Sequence, residues 1–351
     1  MTTTVRSYAA VASDSPLAPY KLTRRTPRQD DVTIEILYCG VCHSDLHTAR
    51  NDWGWTQYPI VPGHEIIGRV LSVGAGVTRF KPGDHVGVGC MVDSCGECPA
   101  CTQGHEQHCP ESTYTYGGAD RYDKQPTQGG YSEKIVVSQK FVLRIPDGLD
   151  LAGAAPLLCA GITTWSPLKN ANVGPGSKVA VVGLGGLGHM AIKLAKALGA
   201  EVTLFTRSQG KEDDARRLGA DHVVLSTVAE QMTAAAGRFD LIVDTVPYAH
   251  DVNPYIPTLS FKGSLVLVGY LGPLEPALDS VPLILGSKAV AGSLIGGIPA
   301  TQEMLDFCGA HGITSDIEII KMAEINDAYE RMLKSDVKYR FVIDMASLKA
   351  E

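Results

Sequence analysis

The sequence predicts an α/β protein built from two domains, a barrel-like β domain and a doubly wound parallel sheet. Its 351 residues are about twice the length of a typical domain. Short apolar runs between turn residues extend to about Asp150, and strands alternate with helices after Gly174. The 37 glycines are more than an all-helical bundle would accommodate, so that class is excluded.

The β domain is indicated by strand-like runs such as 32–37, 68–73 and His85–Val88, with a Pro-Gly-Asp turn between the last two. The rhythm then changes to strand, glycine turn and helix, which is typical of a parallel sheet. Apolar periodicity predicts one helix at 189–198 and strands at Lys178–Val182, 202–205, His222–Leu225, 241–244 and 264–268.

The C-terminal tail from about Gly297 has the pattern of helices at 301–311 and 325–334, followed by a strand at 339–343. We expect this tail to return to the first domain. The predicted domains are therefore 1–152 together with 297–351, and 153–296.

The charge pattern excludes several partners. The net charge is −7 and no basic tract is present, so we expect neither nucleic acid nor an anionic membrane as a partner. The N-terminus lacks a signal-peptide core, and prolines interrupt the uncharged stretch 151–168, so we expect a cytoplasmic protein without a membrane span. In a reducing cytosol the nine cysteines are expected to be free unless metal or catalysis uses them.

A glycine-rich turn predicts dinucleotide binding. The pattern Gly-x-Gly-x-x-Gly at 183–188 directly follows a predicted strand and begins a helix. The first glycine permits a tight turn, the second allows a pyrophosphate to approach the backbone, and the third packs the helix against the strand. The phosphates are then expected at the helix N-terminus. The predicted coenzyme contacts in this turn are Gly183, Gly185, Gly186, Leu187 and Gly188.

The end of the next strand favours NADP(H) over NAD(H). An NAD site carries a carboxylate there, but this strand ends in Thr206, Arg207 and Ser208, with Lys211 close behind. Glu201 lies at the start of the strand, whereas ligands bind at strand C-terminal ends. Arg207, assisted by the other three side chains, suits a 2′-phosphate. The alternative is that Arg207 is a solvated surface residue.

Four cysteines within 15 residues predict a structural zinc site. Cys95, Cys98, Cys101 and Cys109 provide four thiolates, which close one tetrahedral shell around zinc. A pair of disulfides is the alternative. The surrounding lobe 91–113 contains four acidic residues and neither lysine nor arginine, which argues against a nucleic-acid-binding zinc module.

A second group of side chains predicts a catalytic zinc site. Cys42 is followed by several polar residues, and His64 and Glu65 come some 20 residues later in a loop rich in glycine and proline. Two thiolates and one imidazole, with a fourth position left open, make a catalytic zinc site. From the residues alone the second cysteine stays open among Cys39, Cys90, Cys159 and Cys308.

The order of these motifs resembles the zinc-dependent medium-chain alcohol dehydrogenases. The segments 39–47, 62–65, the four-cysteine lobe, 156–161 and 183–188 occur in the order typical of that family, and the resemblance extends from about Val32 to Val342. Within the family the chain is most similar to the cinnamyl alcohol dehydrogenase branch, of the bacterial NADP-dependent aldehyde reductase type. This implies a GroES-like β-barrel catalytic domain and a Rossmann coenzyme domain.

The resemblance also implies the roles of the residues around the catalytic zinc. The ligands would be Cys42, His64 and Cys159, the set that alcohol dehydrogenases use, with Glu65 as an adjacent carboxylate. Two zinc ions per chain are therefore expected, and Asp45 would accept a hydrogen bond from the far nitrogen of His64.

Further roles follow from the same resemblance. Ser44 would receive the alcohol proton and His47 would pass it to solvent, while His43 would lie near the coenzyme pyrophosphate. Additional coenzyme contacts would come from Thr163, Val268, Ser293 and Arg340. The substrate pocket would include Trp53, Trp55 and Tyr114.

The predicted function is the NADPH-dependent reduction of aryl or medium-chain aldehydes to primary alcohols, and the reverse oxidation, by hydride transfer at zinc. A homodimer formed by edge strands around 290–294 is expected from the resemblance. Two alternatives remain: an NAD-dependent polyol dehydrogenase, which would need polar groups around the zinc, and a non-catalytic zinc protein that binds a dinucleotide.

Overall fold

The computed structural model describes residues 2–269 and 272–349, and the chain divides into two compact units. Unit 1 comprises Met1–Cys159 and Gly296–Glu351, and unit 2 comprises Ala160–Ile295. The limits predicted from the sequence end the first segment at 152, where the contact division ends it at Cys159, and begin the last segment at 297, where the division begins it at Gly296. In the described part of the chain, no single helix is long and apolar enough to cross a membrane.

The described strands follow in chain order: β1 (Thr3–Ala9), β2 (Ala18–Arg24), β3 (Asp31–Gly40), β4 (Ile66–Val73), β5 (His85–Val88), β6 (Met91–Asp93), β7 (Thr113–Tyr114), β8 (Lys134–Ser138), β9 (Leu143–Arg144), β10 (Lys178–Val182), β11 (Glu201–Thr206), β12 (His222–Leu225), β13 (Phe239–Asp244), β14 (Leu259–Leu267), β15 (Ala289–Gly292), β16 (Ile317–Lys321) and β17 (Arg340–Asp344). The α-helices are α1 (His43–Ala49), α2 (Pro99–Thr102), α3 (Leu151–Ala154), α4 (Ala160–Asn170), α5 (Gly188–Ala197), α6 (Glu212–Leu218), α7 (Ala229–Ala234), α8 (Ser280–Gly286), α9 (Ile298–His311) and α10 (Ile325–Leu333).

Unit 1 is built on a mostly antiparallel seven-stranded sheet in the order β16-β17-β3-β4-β5-β9, with β8 also paired to β3. Strand β3 alternates between buried and partly exposed residues because one face packs on the core. The C-terminal strand β17 pairs with the end of β3, where Val342 faces Gly40 and Ile343 faces Cys39. This pairing places the C-terminal tail beside the segment that leads into α1.

Unit 2 confirms the predicted doubly wound parallel sheet. Its six strands are parallel and lie in the order β12-β11-β10-β13-β14-β15. Phe205, Phe239 and Tyr255 pack edge to face at its core, with ring centroids 5.3–5.4 Å apart. The strands therefore end at one common edge, where ligands of such sheets bind.

Several elements differ from the sequence prediction, among them β16, which the predicted tail lacks, and the two described next. Strand β14 begins at Leu259, not at 264, and continues through Lys262 in the left-handed region (φ 63°) beside a register shift against β13. A lysine-glycine pair in such a bulge interrupts the apolar pattern without ending the strand. The sequence pattern does not predict helix α4, because its glycine, its threonines and Pro167 disfavour a helix, yet eight of its 11 residues are buried.

Candidate metal centres and coenzyme site

Helix α1 orients the first group of candidate site residues. Cys42 caps its N-terminus, and the backbone N–H of Cys42 donates to Asp45 Oδ2 over 2.8 Å. A carboxylate in the first turn satisfies an N–H that the helix itself leaves free. Cys42, Ser44, Asp45 and His47 therefore project from one short helix whose start is fixed by its own side chains.

Asp45 connects α1 to the loop that carries His64. The side chain is fully buried, and its Oδ1 accepts hydrogen bonds from the Gly63 N–H at 3.0 Å and from His64 Nδ1 at 2.9 Å. Its Oδ2 accepts, in addition to the Cys42 N–H, the hydroxyl of Tyr131 at 3.2 Å. Because Nδ1 of His64 donates to Asp45, Nε2 is the nitrogen left to bind a metal.

Four side chains come together in a cluster that fits one metal ion. The ligand atoms of Cys42, His64, Glu65 and Cys159 lie within 4.8 Å of one another. Two sulfurs and an imidazole suit Zn²⁺ and form the donor set of a catalytic site. Cys159 follows a short 3₁₀ turn and is buried, so the fold brings together donors that are far apart in the sequence.

The other three cysteines considered as ligands are not members of this four-donor group, although Cys90 lies against it in contact with Cys159. Cys39 is buried on β3, and the thiol of Cys308 donates to Met304 Sδ within α9 over 3.6 Å. The Cys90 thiol donates to the Leu158 carbonyl at 3.7 Å. The geometry thus favours Cys159 among the four cysteines that the residues alone left open.

Charges within the cluster shift the pKa values of its members. A hydrogen bond from the Cys159 thiol, helped by His64, holds the pKa of Cys42 well below its usual range against the opposing effect of burial. Burial alone would lower the pKa of His64, but Asp45 and nearby cysteines raise it well above the usual range. Because zinc binds deprotonated sulfur and unprotonated imidazole nitrogen, metal affinity of this cluster should depend on pH.

Glu65 pairs with a buried arginine from the C-terminal tail. Arg340 Nη2 donates to Glu65 Oε1 and to the Val41 carbonyl, the latter at 2.8 Å. Burial, opposed by Arg340, raises the pKa of Glu65 to about 7. Glu65 Oε2 has no hydrogen-bond partner in the described part of the chain, so it is free to accept a proton or approach a metal. The predicted coenzyme contact of Arg340 stays a prediction.

The residues predicted to carry the proton lie on α1. Ser44 Oγ is 3.7 Å from Cys42 Sγ, and His47, which is partly exposed, has its Nδ1 2.7 Å from Asp52 Oδ2. The His43 and His47 rings are 6.1 Å apart. Asp52, which sequence reasoning missed, therefore leaves Nε2 of His47 as the nitrogen free for proton exchange.

Aromatic side chains lie next to His47. The Trp53 ring lies 5.6 Å from His47 and 5.3 Å from Trp55, and Trp55 is 62% exposed. Tyr114 lies on β7 and is exposed.

Tyr116, two residues after Tyr114 and absent from the sequence prediction, has its ring 5.6 Å from His64. Tyr116 therefore lies closer to a candidate metal ligand than its position in the sequence indicated.

A buried arginine supports the segment 128–134, which pairs with the loop that carries His64. Arg24 donates to the carbonyls of Gln128, Gly129 and Lys134 and to the Ser132 hydroxyl over 2.6–2.8 Å. The backbone of this segment pairs with the His64 loop through three hydrogen bonds of 2.7–3.0 Å. Burial and the neighbouring Arg25 lower the pKa of Arg24 to about 9. Arg24 thus holds Tyr131 in place, so that its hydroxyl can reach Asp45.

The four-cysteine lobe forms the second cluster. The sulfurs of Cys95, Cys98, Cys101 and Cys109 also lie within 4.8 Å of one another. All nine cysteines of the chain, each in the described part, are free thiols, so no disulfide competes. Backbone N–H groups of Glu97 and Cys98 lower the pKa of Cys95 to about 7, which favours its thiolate. Four sulfurs leave no open position on a tetrahedral zinc.

The glycine turn of unit 2 brings α5 close to β10 and leaves open space beside it. A Cβ at Gly188 would lie 2.1 Å from the Gly183 carbonyl oxygen, so only glycine permits this approach of α5 to β10. A Cβ at Gly185 would meet nothing within 4 Å, so the space beside the turn is open to a ligand. The N-terminus of α5 therefore opens onto room for a pyrophosphate, bordered by Gly186 and Leu187.

The remaining predicted coenzyme residues of unit 2 lie mostly at the same edge of the sheet. Ser208 N–H donates to Thr206 Oγ1 at 3.2 Å, and Lys211 Nζ donates to the Leu184 carbonyl in the glycine turn at 3.1 Å. The backbones of Val268 and Ser293 extend past β14 and β15, and Thr163 is buried in α4. Arg207 is exposed at the end of β11.

Comparison with known proteins places the chain in a family. Residues 28–147 match the family model of the alcohol dehydrogenase GroES-like domain, and residues 186–310 match that of the zinc-binding dehydrogenase. Aldehyde reductase YahK of Escherichia coli K12 is 52% identical over 345 residues, which are 98% of this chain and 99% of that protein.

Solved structures agree with these matches. A cinnamyl alcohol dehydrogenase of Sorghum bicolor superposes with a TM-score of 0.95 at 49% identity, covering 98% of each chain. The cinnamyl alcohol dehydrogenase of Helicobacter pylori, solved with NADP(H), superposes with a TM-score of 0.91 at 42% identity, covering 99% of each chain. The chain therefore belongs to the zinc-binding dehydrogenases that carry an alcohol dehydrogenase GroES-like domain.

Proposed function

We propose that this protein interconverts aldehydes and primary alcohols with NADP(H) as coenzyme and zinc at the cluster of Cys42, His64 and Cys159. The observation that carries the proposal is the convergence of these donors and Glu65 within 4.8 Å. The names of the relatives, an aldehyde reductase and cinnamyl alcohol dehydrogenases, support the substrate class. Bound zinc supplies a Lewis acid for the substrate oxygen, and NADPH supplies the hydride.

The side chains of unit 1 have distinct tasks in this proposal. Asp45 holds the His64 ring with Nε2 free, because its carboxylate occupies Nδ1. Ser44 and His47 carry the alcohol proton, and Asp52 fixes which nitrogen of His47 exchanges it. Glu65, paired with Arg340, provides a carboxylate whose Oε2 can approach the metal.

Coenzyme choice is assigned to the turn after β11. Arg207 is exposed at this turn, and in the described part of the chain no carboxylate pairs with it. A charge-assisted contact with a 2′-phosphate contributes roughly 1.5–3 kcal/mol, which corresponds to about a 10- to 150-fold preference. We also propose Thr206, Ser208 and Lys211 as supporting contacts.

We further propose a cytoplasmic homodimer joined along the edge of the unit 2 sheet. Strand β15 lies at the end of the strand order, and Ile284 and Leu285 of α8 are 74% and 83% exposed. Exposed apolar residues beside an unpaired strand edge favour pairing with a second copy. Light scattering after size exclusion should give twice the chain mass of 37.4 kDa.

The decisive experiment for the function measures NADPH oxidation by the zinc-loaded protein with a panel of aryl, medium-chain alkyl and sugar aldehydes. We expect turnover, with the highest kcat/KM for aryl or medium-chain aldehydes, because Trp53 and Trp55 offer aromatic surface near His47. A preference for polyols with NAD would instead support the polyol dehydrogenase alternative. Absence of turnover with every aldehyde and alcohol would support a non-catalytic binding protein.

A further inference from the structure

The loop after β13 in unit 2 is fastened by a contact between a histidine and a buried aspartate. Asp244, the last residue of β13, has a fully buried side chain whose Oδ1 accepts the Val246 N–H at 3.1 Å. His250 Nε2 lies 2.9 Å from Asp244 Oδ2, and His250 Nδ1 lies 3.0 Å from the Tyr248 carbonyl oxygen. Both ring nitrogens face acceptors, and the hydrogen bond with Asp244 raises the pKa of His250. His250 therefore ties the loop to the end of the sheet through two contacts.

This loop presents Tyr248 to the coenzyme turn. Arg207 Nη2 donates to the Tyr248 hydroxyl over 2.8 Å, although the two residues are 41 positions apart. The guanidinium carbon of Arg207 also lies 5.8 Å from the centre of the Tyr248 ring. Tyr248 remains 51% exposed, so burial in a core does not account for its position.

The contact with Tyr248 leaves most of the hydrogen-bonding capacity of the Arg207 guanidinium unused. A guanidinium has five N–H donors, and the Tyr248 hydroxyl takes one of them. A neutral hydroxyl restrains the arginine without cancelling its charge, as a carboxylate would. A long side chain held in one rotamer loses less freedom when it binds a phosphate.

We propose that Tyr248, held by His250 and Asp244, is a positioning residue that aims Arg207 at the 2′-phosphate of the coenzyme. This inference rests on the proposed preference for NADP(H) and deepens it, because it assigns a second loop to the recognition of that phosphate. Tyr248 acts through Arg207, so its influence is confined to ligands that carry the phosphate.

The test is Tyr248→Phe, which keeps the ring and removes the hydroxyl. We expect the KM for NADPH to rise about three- to tenfold, with kcat unchanged and with the NADH constants within twofold of wild type. Binding of adenosine 2′-monophosphate, measured by calorimetry, should weaken by the same factor, whereas adenosine 5′-monophosphate should bind as before. A residue that merely supports the fold would affect both coenzymes.

Tyr122→Phe is the matched control, because Tyr122 is another exposed tyrosine with an arginine, Arg28, over its ring, and it lies in unit 1. This control should leave every constant unchanged. In an Arg207→Ala background, Tyr248→Phe should have no further effect on NADPH, because the residue it positions is gone.

Several outcomes overturn the inference. An equal loss for NADH and NADPH would make Tyr248 a contact of the shared part of the coenzyme. An undiminished effect in the Arg207→Ala background would show that Tyr248 does not act through Arg207. If wild type prefers NADPH and Tyr248→Phe keeps that preference in full, this inference alone fails. If wild type prefers NADH, the proposed coenzyme fails with it.

Discussion

The two cysteine-containing clusters of unit 1 are assembled in opposite ways. The four-cysteine lobe takes every sulfur from the segment 95–109, and backbone N–H groups of this segment and of Glu111 donate to Cys95 and Cys109. The second cluster joins Cys42, His64 and Cys159, which come from three distant parts of the chain.

Their surroundings differ as much as their connectivity. Three of the four lobe cysteines are partly exposed, and the lobe needs little beyond its own backbone. The second cluster is surrounded by buried charged residues: Asp45 accepts a hydrogen bond from His64, and Arg340 pairs with Glu65. A closed sulfur shell requires only local folding. An open and reactive site depends on the whole domain, because its ligands come from distant segments and are oriented by buried charged residues.

The largest expected effect comes from breaking the dispersed cluster. Cys159→Ala removes one of its sulfurs and should lower kcat/KM by about a thousandfold or more, because the Lewis acid contributes several kcal/mol to the reaction. The thermal unfolding midpoint should change little if the lobe keeps its metal. Steady-state kinetics and calorimetry on the same preparation check both statements, and near-normal turnover would remove Cys159 from the site.

The lobe should respond in the reverse manner. Cys98→Ser opens the sulfur shell and should lower the unfolding midpoint by roughly 10 °C, because metal binding to such a site is itself folding free energy. At 25 °C the kcat of the remaining native protein should stay within about twofold of wild type. A variant that loses turnover while keeping its midpoint would reverse the roles assigned to the two clusters.

An intermediate effect is expected at Asp45, which positions a ligand without binding the metal. Asp45→Asn keeps the size of the side chain but weakens the acceptor for His64 Nδ1 at 2.9 Å. Metal affinity of the dispersed cluster, measured by competition with a chelator, should fall about 10- to 100-fold. The lobe provides the internal control, and its affinity should not change.

The smallest effect is expected at Tyr131, one contact further from the metal. Tyr131→Phe removes the 3.2 Å hydrogen bond to Asp45 Oδ2, which still accepts the Cys42 N–H. Loss of one neutral donor should speed metal release to a chelator by about two- to fivefold. If metal release is as slow as in wild type, Tyr131 does not support the cluster, and that role belongs to Asp45 alone.

The same contrast explains which parts of the molecule were predictable from the sequence. The lobe and the glycine turn are contiguous, so their spacing alone predicts their geometry. Strands Lys178–Val182 and His222–Leu225 were predicted with their observed limits because short apolar runs between turn residues specify them. In the dispersed cluster, residue chemistry left four cysteines open, and only the family resemblance and the fold select Cys159.

Other features left no signal in the sequence. Arg24 contacts carbonyls more than 100 residues away, and Tyr131 meets Asp45 across 86 positions. Tyr116 and Asp52 look like ordinary loop residues until the backbone places them beside His64 and His47. Such contacts depend on strand pairing between distant segments, which local periodicity does not encode.

The most direct test locates the metal in crystals of the zinc-loaded protein, using anomalous scattering at the zinc absorption edge. Two peaks per chain are expected. One lies about 2.3 Å from all four lobe sulfurs, and the other lies among Cys42, His64 and Cys159. A single peak, or a second peak outside the dispersed cluster, would contradict the division into one closed structural site and one open reactive site.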